Sequence, residues 1–272
     1  MTRGAKLYGG TVNAIGGRIA LGRSLALPEP WCSADIVVVL PTYQEAANLP
    51  SVVGALFDLP LPGLRILVAD DNSPDGTGKI AEELADRYGR SRLEVMHRPG
   101  KEGLGRAYRD GMSKAIAAGA EFVVQMDSDL SHGPEYLPQM LGTLLSTGAD
   151  VVIGSRYVGG GSVGAEWPRH RKALSAFANA YVRLLLRVAV RDATAGYKLW
   201  RASALKTIGL QAIRSDGYSF QVEMNYRSVR HGLKIIELPI HFSDRVEGKS
   251  KMDLRTQLES ALIPFRLRRH TR

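Results

Sequence analysis

At 272 residues, with 44% hydrophobic and 23% charged residues, the chain has an ordinary globular composition and can bury the core of one large domain. Its net charge of +9 and pI near 9.7 point to anionic partners: nucleic acid, a phosphate-rich substrate or an anionic membrane surface. A single cysteine, Cys32, excludes an internal disulfide, and the six histidines show no ligand spacing with it, so a structural zinc site is not expected.

No run of about 18 uncharged apolar residues exists, so no spanning helix is expected, and the N-terminus lacks the apolar core of a signal peptide. A reducing cytoplasm fits this pattern. Residues 1–33 are rich in glycine and carry Arg3, Lys6, Arg18 and Arg23 with hardly any acid. They read as a basic, mostly disordered leader, and residues 34–272 as one domain.

Order is expected from Asp35. The β-branched run 36–40 has the signature of a buried parallel strand, with Pro41 ending it because proline cannot donate to a ladder. A helix over 46–58 follows, then a second buried strand over 65–69, stopped by Asp70-Asp71-Asn72-Ser73-Pro74-Asp75-Gly76. Helices are expected over 77–88, 104–118 and 134–146, and strands over 92–97, 121–126 and 150–154. Five alternations of strand and helix predict a largely parallel sheet covered on both faces. Such sheets bind their ligands just beyond the carboxyl ends of the strands.

Beyond Tyr157 the alternation stops. Residues 158–167 form a glycine-rich loop, read as a mobile lid. Residues 169–191 read as an amphipathic helix with Leu174, Phe177, Tyr181, Leu184, Leu185 and Val188 on its apolar stripe, suited to a membrane interface or to packing on the domain's own core. A strand through Trp200, a helix over 218–230, a strand over 233–238 and a helix over 253–263 complete the reading. The loop 244–251 between the last two holds Arg245, Lys249 and Lys251 around Gly248.

The strand-end rule gathers scattered polar residues into one candidate site. Tyr43 and Glu45 follow the first strand, Asp70 and Asp71 the second, Asp127 and Asp129 the fourth, and Ser155-Arg156 the fifth. In an extended chain residues i and i+2 project to the same side, so Asp127 and Asp129 aim together. Two such carboxylates suit a hard cation shared with a substrate diphosphate, while a solvated acidic turn is the plainer alternative. No G-x-G-x-x-G follows the first strand and no G-x-x-x-x-G-K-[ST] occurs, which disfavours a dinucleotide-dependent dehydrogenase and a P-loop nucleotidase.

Pro41-Thr42-Tyr43-Gln44-Glu45, Asp70 through Thr77, Asp127-Ser128-Asp129-Leu130-Ser131-His132, Gly154-Ser155-Arg156-Tyr157 and Asp244 through Lys251 occur in one order at fitting distances. Together they resemble the dolichol- or polyprenol-phosphate mannosyltransferases of glycosyltransferase family 2, over about residues 35–262. The resemblance implies an α/β GT-A fold, a GDP-mannose donor, a polyprenyl phosphate acceptor and Mg²⁺ or Mn²⁺. By matching position it implies that Pro41, Tyr43 and Glu45 contact the nucleoside with Ala69 and Asp71 beside it. It implies that Asp127, Ser128 and Asp129 bind diphosphate and that Asp127 and Asp129 hold the metal. Arg156, Arg245 and Lys251 are implied to hold the sugar diphosphate and the acceptor phosphate, with Asp129 and Arg156 as the catalytic pair.

Two departures stand out: Ser131 replaces a glutamine that is a further metal ligand in some relatives, and Ala195 replaces a serine in Asp192-Ala193-Thr194-Ala195-Gly196. A peripheral position on the cytoplasmic face of a membrane is implied, through surface charge and the 169–191 helix or through a separate integral membrane protein.

The reaction implied is inverting transfer that yields a β-linked lipid phosphate mannose. A lipid monophosphate needs no general base, because its second pKa near 6 leaves it mostly dianionic at pH 7. The competing readings are a hexosyltransferase of the same family using UDP-glucose, a non-catalytic donor-binding subunit, and a basic nucleic-acid-binding protein. Against the last, the basic residues are spread out and no nucleic-acid-binding pattern is present, so no nucleic acid partner is expected.

Overall fold

The computed structural model describes residues 29–243, with the short stretches 12–14, 17–19 and 264–268. Strands β1 (Ile36–Thr42), β2 (Leu64–Asp70), β3 (Leu93–His97), β4 (Phe122–Gln125) and β5 (Val151–Ser155) alternate with helices α1 (Leu49–Phe57), α2 (Thr77–Tyr88), α3 (Leu104–Ala117) and α4 (Leu137–Thr147). There follow β6 (Ser162–Val163), α5 (Arg169–Leu186), β7 (Lys198–Arg201), α6 (Ala202–Thr207), α7 (Gly217–Arg230), β8 (Ile235–Pro239) and β9 (His241–Phe242). The main sheet has seven strands in the order β8-β5-β7-β4-β1-β2-β3. Only β7 runs antiparallel, wedged between β4 and β5.

The β-branched run of β1 works because the sheet is covered on both sides. Ile36, Val38 and Leu40 face a cluster built with Leu49, Val52, Leu84, Met140 and Leu141 of α1, α2 and α4. Val37 and Val39 face the opposite cluster, with Tyr108 and Met112 of α3 and Phe220 and Met224 of α7. All seven β1 residues are buried, so alternation places apolar groups on both faces and leaves no polar side exposed.

Two expectations are corrected. Pro41 lies inside β1, in register with Ala69. Pairing with β4 has already ended at Val39, and the Pro41 carbonyl there accepts the Ser128 hydroxyl (3.0 Å), so the missing N–H falls where no ladder remains. The 158–167 segment is pinned: β6 pairs with β9, Ser162 N–H donates to the Ile240 carbonyl (3.0 Å) and Gly164 N–H to that of Phe242 (2.9 Å). Of the two settings left open for the α5 stripe, packing on the domain's own core does not hold for Leu174, Phe177 and Leu184, which are 50%, 67% and 79% exposed, while Asn179, Val182 and Leu186 turn inward. The expected 253–263 helix and the 244–251 loop lie outside the described residues.

No helix among the described residues is long and apolar enough to cross a membrane.

Candidate active site

The carboxyl ends of β1, β2, β4 and β5 form one rim. At its centre the ends of β1 and β2 are laced together: Asp71 N–H donates to the Thr42 carbonyl (3.0 Å), and the Thr42 hydroxyl donates to Asp70 Oδ1 (3.1 Å). The Asp70 carboxylate also accepts from the Ser73 hydroxyl (2.6 Å) and N–H (3.1 Å), which shapes the turn after β2. The loops then clasp, since Glu45 N–H donates to Thr77 Oγ1 (3.0 Å) and Ala46 N–H to Asp75 Oδ2 (3.2 Å). Glu45 Oε2 accepts from Asn48 Nδ2 (2.8 Å), and Lys101 Nζ lies 4.4 Å from the centre of the Tyr43 ring. Pro41, Tyr43, Glu45, Ala69 and Asp71 therefore share one end of two paired strands.

Asp71 is buried and ion-paired with the equally buried Arg98, which also reaches Glu102 (3.1 Å) and Asp110 (3.2 Å). Burial raises the Asp71 carboxyl above the usual value, and the Arg98 guanidinium pulls it partly back. Arg98 has no role in the sequence reading. It sits at the first position after β3, where the strand-end rule applies as much as to its neighbours.

On the β4 side, Ser128 bonds the Pro41 carbonyl and so joins the D-x-D to β1. Asp127 Oδ1 accepts the Tyr108 hydroxyl (2.6 Å), and its backbone N–H donates to His132 Nδ1 (3.1 Å). Burial holds the His132 imidazole below its usual pKa, so the ring is neutral and Nδ1, as acceptor, leaves the proton on Nε2. Burial, reinforced by the neighbouring Asp127, keeps the Tyr108 phenol protonated. Asp129 Oδ1 accepts both the N–H (3.1 Å) and the hydroxyl (2.5 Å) of Ser131, so Ser131 orients this carboxylate.

The turn 192–196 closes the site from the β5 side. Arg156 makes a bidentate pair with the fully buried Asp192 (Nε 2.8 Å, Nη2 2.6 Å) and donates to Thr194 Oγ1 (2.8 Å). Gly196 at the end of this turn lies against both His132 and Asp127. A Cβ there would sit 3.1 Å from His132 Cε1 and 3.5 Å from Asp127 Oδ2, tight enough to favour the smallest residue. Ala195 belongs to the apolar cluster under α3 and α7, which accounts for a methyl where a hydroxyl was expected. Arg156 also faces Phe242, whose ring meets His132 edge-on at 5.3 Å. A continuous set of contacts thus runs from Arg156 through His132 and Asp127 to Pro41 and Asp71. Arg245 and Lys251 lie outside the described residues.

Backbone strain marks the same rim. Gln44, Asn72 and Leu130, three of the four non-glycine residues with positive φ among those described, follow β1, β2 and β4 (φ 59°, 55° and 62°). For leucine this conformation is a genuine outlier, and such strain persists where surrounding structure fixes a functional geometry. Beneath the D-x-D, Lys198 at the start of β7 is buried, donates to Gln221 Oε1 (2.8 Å), and has its pKa lowered by burial to about 7. Gln125 Nε2 donates to the same oxygen (2.7 Å). Neither Tyr108 nor Lys198 carries a signal in the sequence, because both reach the rim through tertiary packing.

The described residues contain no group of three or more His, Cys, Asp or Glu side chains that would hold a metal by themselves. Asp127 and Asp129 are a pair of oxygen donors, the hard set that suits Mg²⁺ or Mn²⁺ when a diphosphate supplies further oxygens.

The family profile for glycosyl transferase family 2 matches residues 37–209. The chain belongs to glycosyltransferase family 2. It is 46% identical over 216 residues to the polyprenol monophosphomannose synthase of Mycolicibacterium smegmatis (79% of this chain, 80% of that protein). It is 43% identical over 217 residues to the undecaprenyl-phosphate mannosyltransferase of Micrococcus luteus (80% of this chain, 87% of that protein). Among solved structures, the mannosyltransferase PcManGT from Pyrobaculum calidifontis, in complex with GDP-Man and Mn²⁺, superposes with a TM-score of 0.60 at 17% identity, covering 88% of this chain and 65% of that one. The α/β fold is GT-A, and the resemblance to the polyprenol-phosphate mannosyltransferases holds across the domain. The protein is a glycosyltransferase.

Proposed function

We propose that this glycosyltransferase moves mannose from GDP-mannose to a polyprenyl monophosphate at the cytoplasmic face of a membrane, giving a β-linked lipid phosphate mannose. The observation that carries the reading is the convergence of Tyr43, Asp71, Asp127 and Asp129 on one strand-end rim. The two relatives named above, which act on polyprenol and undecaprenyl phosphate, support the choice of sugar and acceptor.

In this reading Tyr43 and Glu45 border the guanosine, with Pro41 and Ala69 forming the backbone floor. Asp71 accepts from the ribose diol or the base. Asp127 and Asp129 hold Mg²⁺ or Mn²⁺ against the diphosphate. The cation, when bound, neutralises charge on the departing diphosphate. Tyr108 fixes the Asp127 carboxylate and Ser131 that of Asp129, so both are oriented before substrate arrives.

The acceptor is its own nucleophile. An oxygen of the lipid phosphate attacks the anomeric carbon from the side opposite the diphosphate. The new C–O bond forms as the bond to the β-phosphate breaks, and GDP leaves with the electron pair. Arg156 acts through Asp192 as a positioning residue, tying the end of β5 to the turn that packs on Asp127, and Arg245 and Lys251 supply charge for the acceptor phosphate.

The exposed side of α5 fits an interfacial helix. Leu174, Phe177 and Leu184 project outward, with exposed Arg169, Arg171, Arg183 and Arg187 on the same helix or its C-cap. An apolar stripe bordered by arginines suits an anionic membrane surface, where the acceptor resides.

The test is incorporation of mannose from GDP-mannose into polyprenyl phosphate by the purified protein with Mg²⁺ or Mn²⁺, and its loss in Asp129→Ala. Metal-independent transfer that survives in Asp129→Ala would overturn the assignment of the D-x-D.

A further inference from the structure

A polar pocket of ≈ 570 Å³ opens where the N-terminal ends of α3 and α7 meet, lined by Glu102, Arg106, Arg109, Arg214, Ser215 and Asp216. None of these residues belongs to the proposed donor site. The pocket is built by a close approach: the Asp216 carboxylate accepts the N–H of Gly105 in α3 (2.5 Å) and that of Gly217 in α7 (2.8 Å), capping both helices. A side chain at Gly103 or Gly105 would collide with Asp216, so the two glycines permit the junction.

The three guanidinium groups are under-used. Together they carry about fifteen N–H donors, five on each arginine. Among the described residues, Arg106 donates only to Glu102 (3.4 Å) and Arg109 only to the Ile213 carbonyl (2.9 Å), while Arg214 has no hydrogen bond or ion pair. A ligand with several anionic oxygens matches these donors, and the pocket is large enough for a phosphorylated small molecule rather than an ion alone.

The pocket is also wired to the rim. Glu102 bridges Arg106 and the buried Arg98, and Asp110 bridges Arg109 (3.9 Å) and Arg98 (3.2 Å), while Arg98 grips Asp71. Two acids are thus each shared between a pocket arginine and Arg98, which holds Asp71.

We infer that this pocket binds a phosphate monoester, and that its occupancy is relayed through Glu102, Asp110 and Arg98 to Asp71. An anion that draws Arg106 and Arg109 away leaves Glu102 and Asp110 to Arg98. Arg98 then loosens its hold on Asp71, whose carboxylate is freed for the nucleoside. The relay rests on the assignment of Asp71 to the donor site, whereas binding in the pocket does not.

The test uses the full chain and inorganic phosphate, titrated calorimetrically at constant ionic strength after saturation with GDP and Mg²⁺, so that the donor site is filled. Saturable binding is expected, weakened at least tenfold in Arg106→Ala/Arg214→Ala. Absence of saturable binding, or equal binding in the double variant, overturns the pocket. A separate titration of GDP is expected to show at least fivefold tighter binding with phosphate present, by the reciprocity of linked sites, and no change in the double variant. Phosphate binding without that shift overturns the relay, and failure of GDP to bind under any condition counts against the donor assignment alone. A raised KM for polyprenyl phosphate in the double variant would identify the phosphate as the acceptor headgroup, and an unchanged KM as a free phosphorylated molecule.

Discussion

Changing Tyr108 to phenylalanine removes one hydroxyl and little else. The ring is fully buried and stacked on Phe220 at 6.0 Å between centroids, so the core retains its shape. What disappears is the 2.6 Å bond to Asp127 Oδ1. Hydrogen bonds to charged groups contribute about 1.5–3 kcal/mol, and outer partners of metal ligands typically alter metal affinity by about 10–100-fold. The expected result is Mn²⁺ affinity, measured calorimetrically with GDP present, reduced by about 10–100-fold with the circular dichroism spectrum preserved. A folded Tyr108→Phe protein that binds Mn²⁺ within about twofold of wild type would refute the role given to this bond.

Two further outcomes follow from the same contacts. Phe177→Ser with Leu184→Ser removes two side chains that are 67% and 79% exposed. If they insert into a bilayer, each contributes about 1–2 kcal/mol, so binding to vesicles containing anionic lipid should fall roughly thirtyfold or more, and undiminished sedimentation with vesicles would exclude α5 as the docking face. Lys198 has a folded pKa of about 7 against an ordinary 10.5. Between these values the unfolded chain holds a proton that the folded chain has released, so wild-type stability gains up to about 1.4 kcal/mol per pH unit as pH rises. Lys198→Met lacks that slope, and urea unfolding at pH 7, 8 and 9 should show its advantage over wild type shrinking; a constant difference would contradict the buried-lysine assignment.

Much of the architecture was legible because local signals agreed with the final packing. The β-branched run of β1 and the acidic stop after β2 each have a short-range cause, and α2 falls over Thr77–Tyr88 as its sequence pattern suggests. Pro41 misled because a proline blocks pairing only when its N–H faces a neighbour, and the length of β4 decides that, not β1 itself. On α5, helical spacing identifies an apolar stripe without saying whether protein or solvent covers it, so the sequence left both settings open. Within the site, the D-x-D and the residues after β1 and β2 could be named from strand-end position alone. Tyr108 and Lys198 could not be placed that way, since their neighbours lie 19 and 23 residues away along the chain, whereas Arg98 directly follows β3 and was open to the same rule.

The most direct measurement is the mass of the lipid product when purified protein and undecaprenyl phosphate are offered GDP-mannose, UDP-glucose and UDP-GlcNAc in separate reactions with Mg²⁺. A single hexose added from GDP-mannose, with neither UDP-sugar consumed, is the expected result. Product formed from a UDP-sugar while GDP-mannose stays intact would contradict the proposed donor, and no lipid product from any of the three would contradict the proposed acceptor.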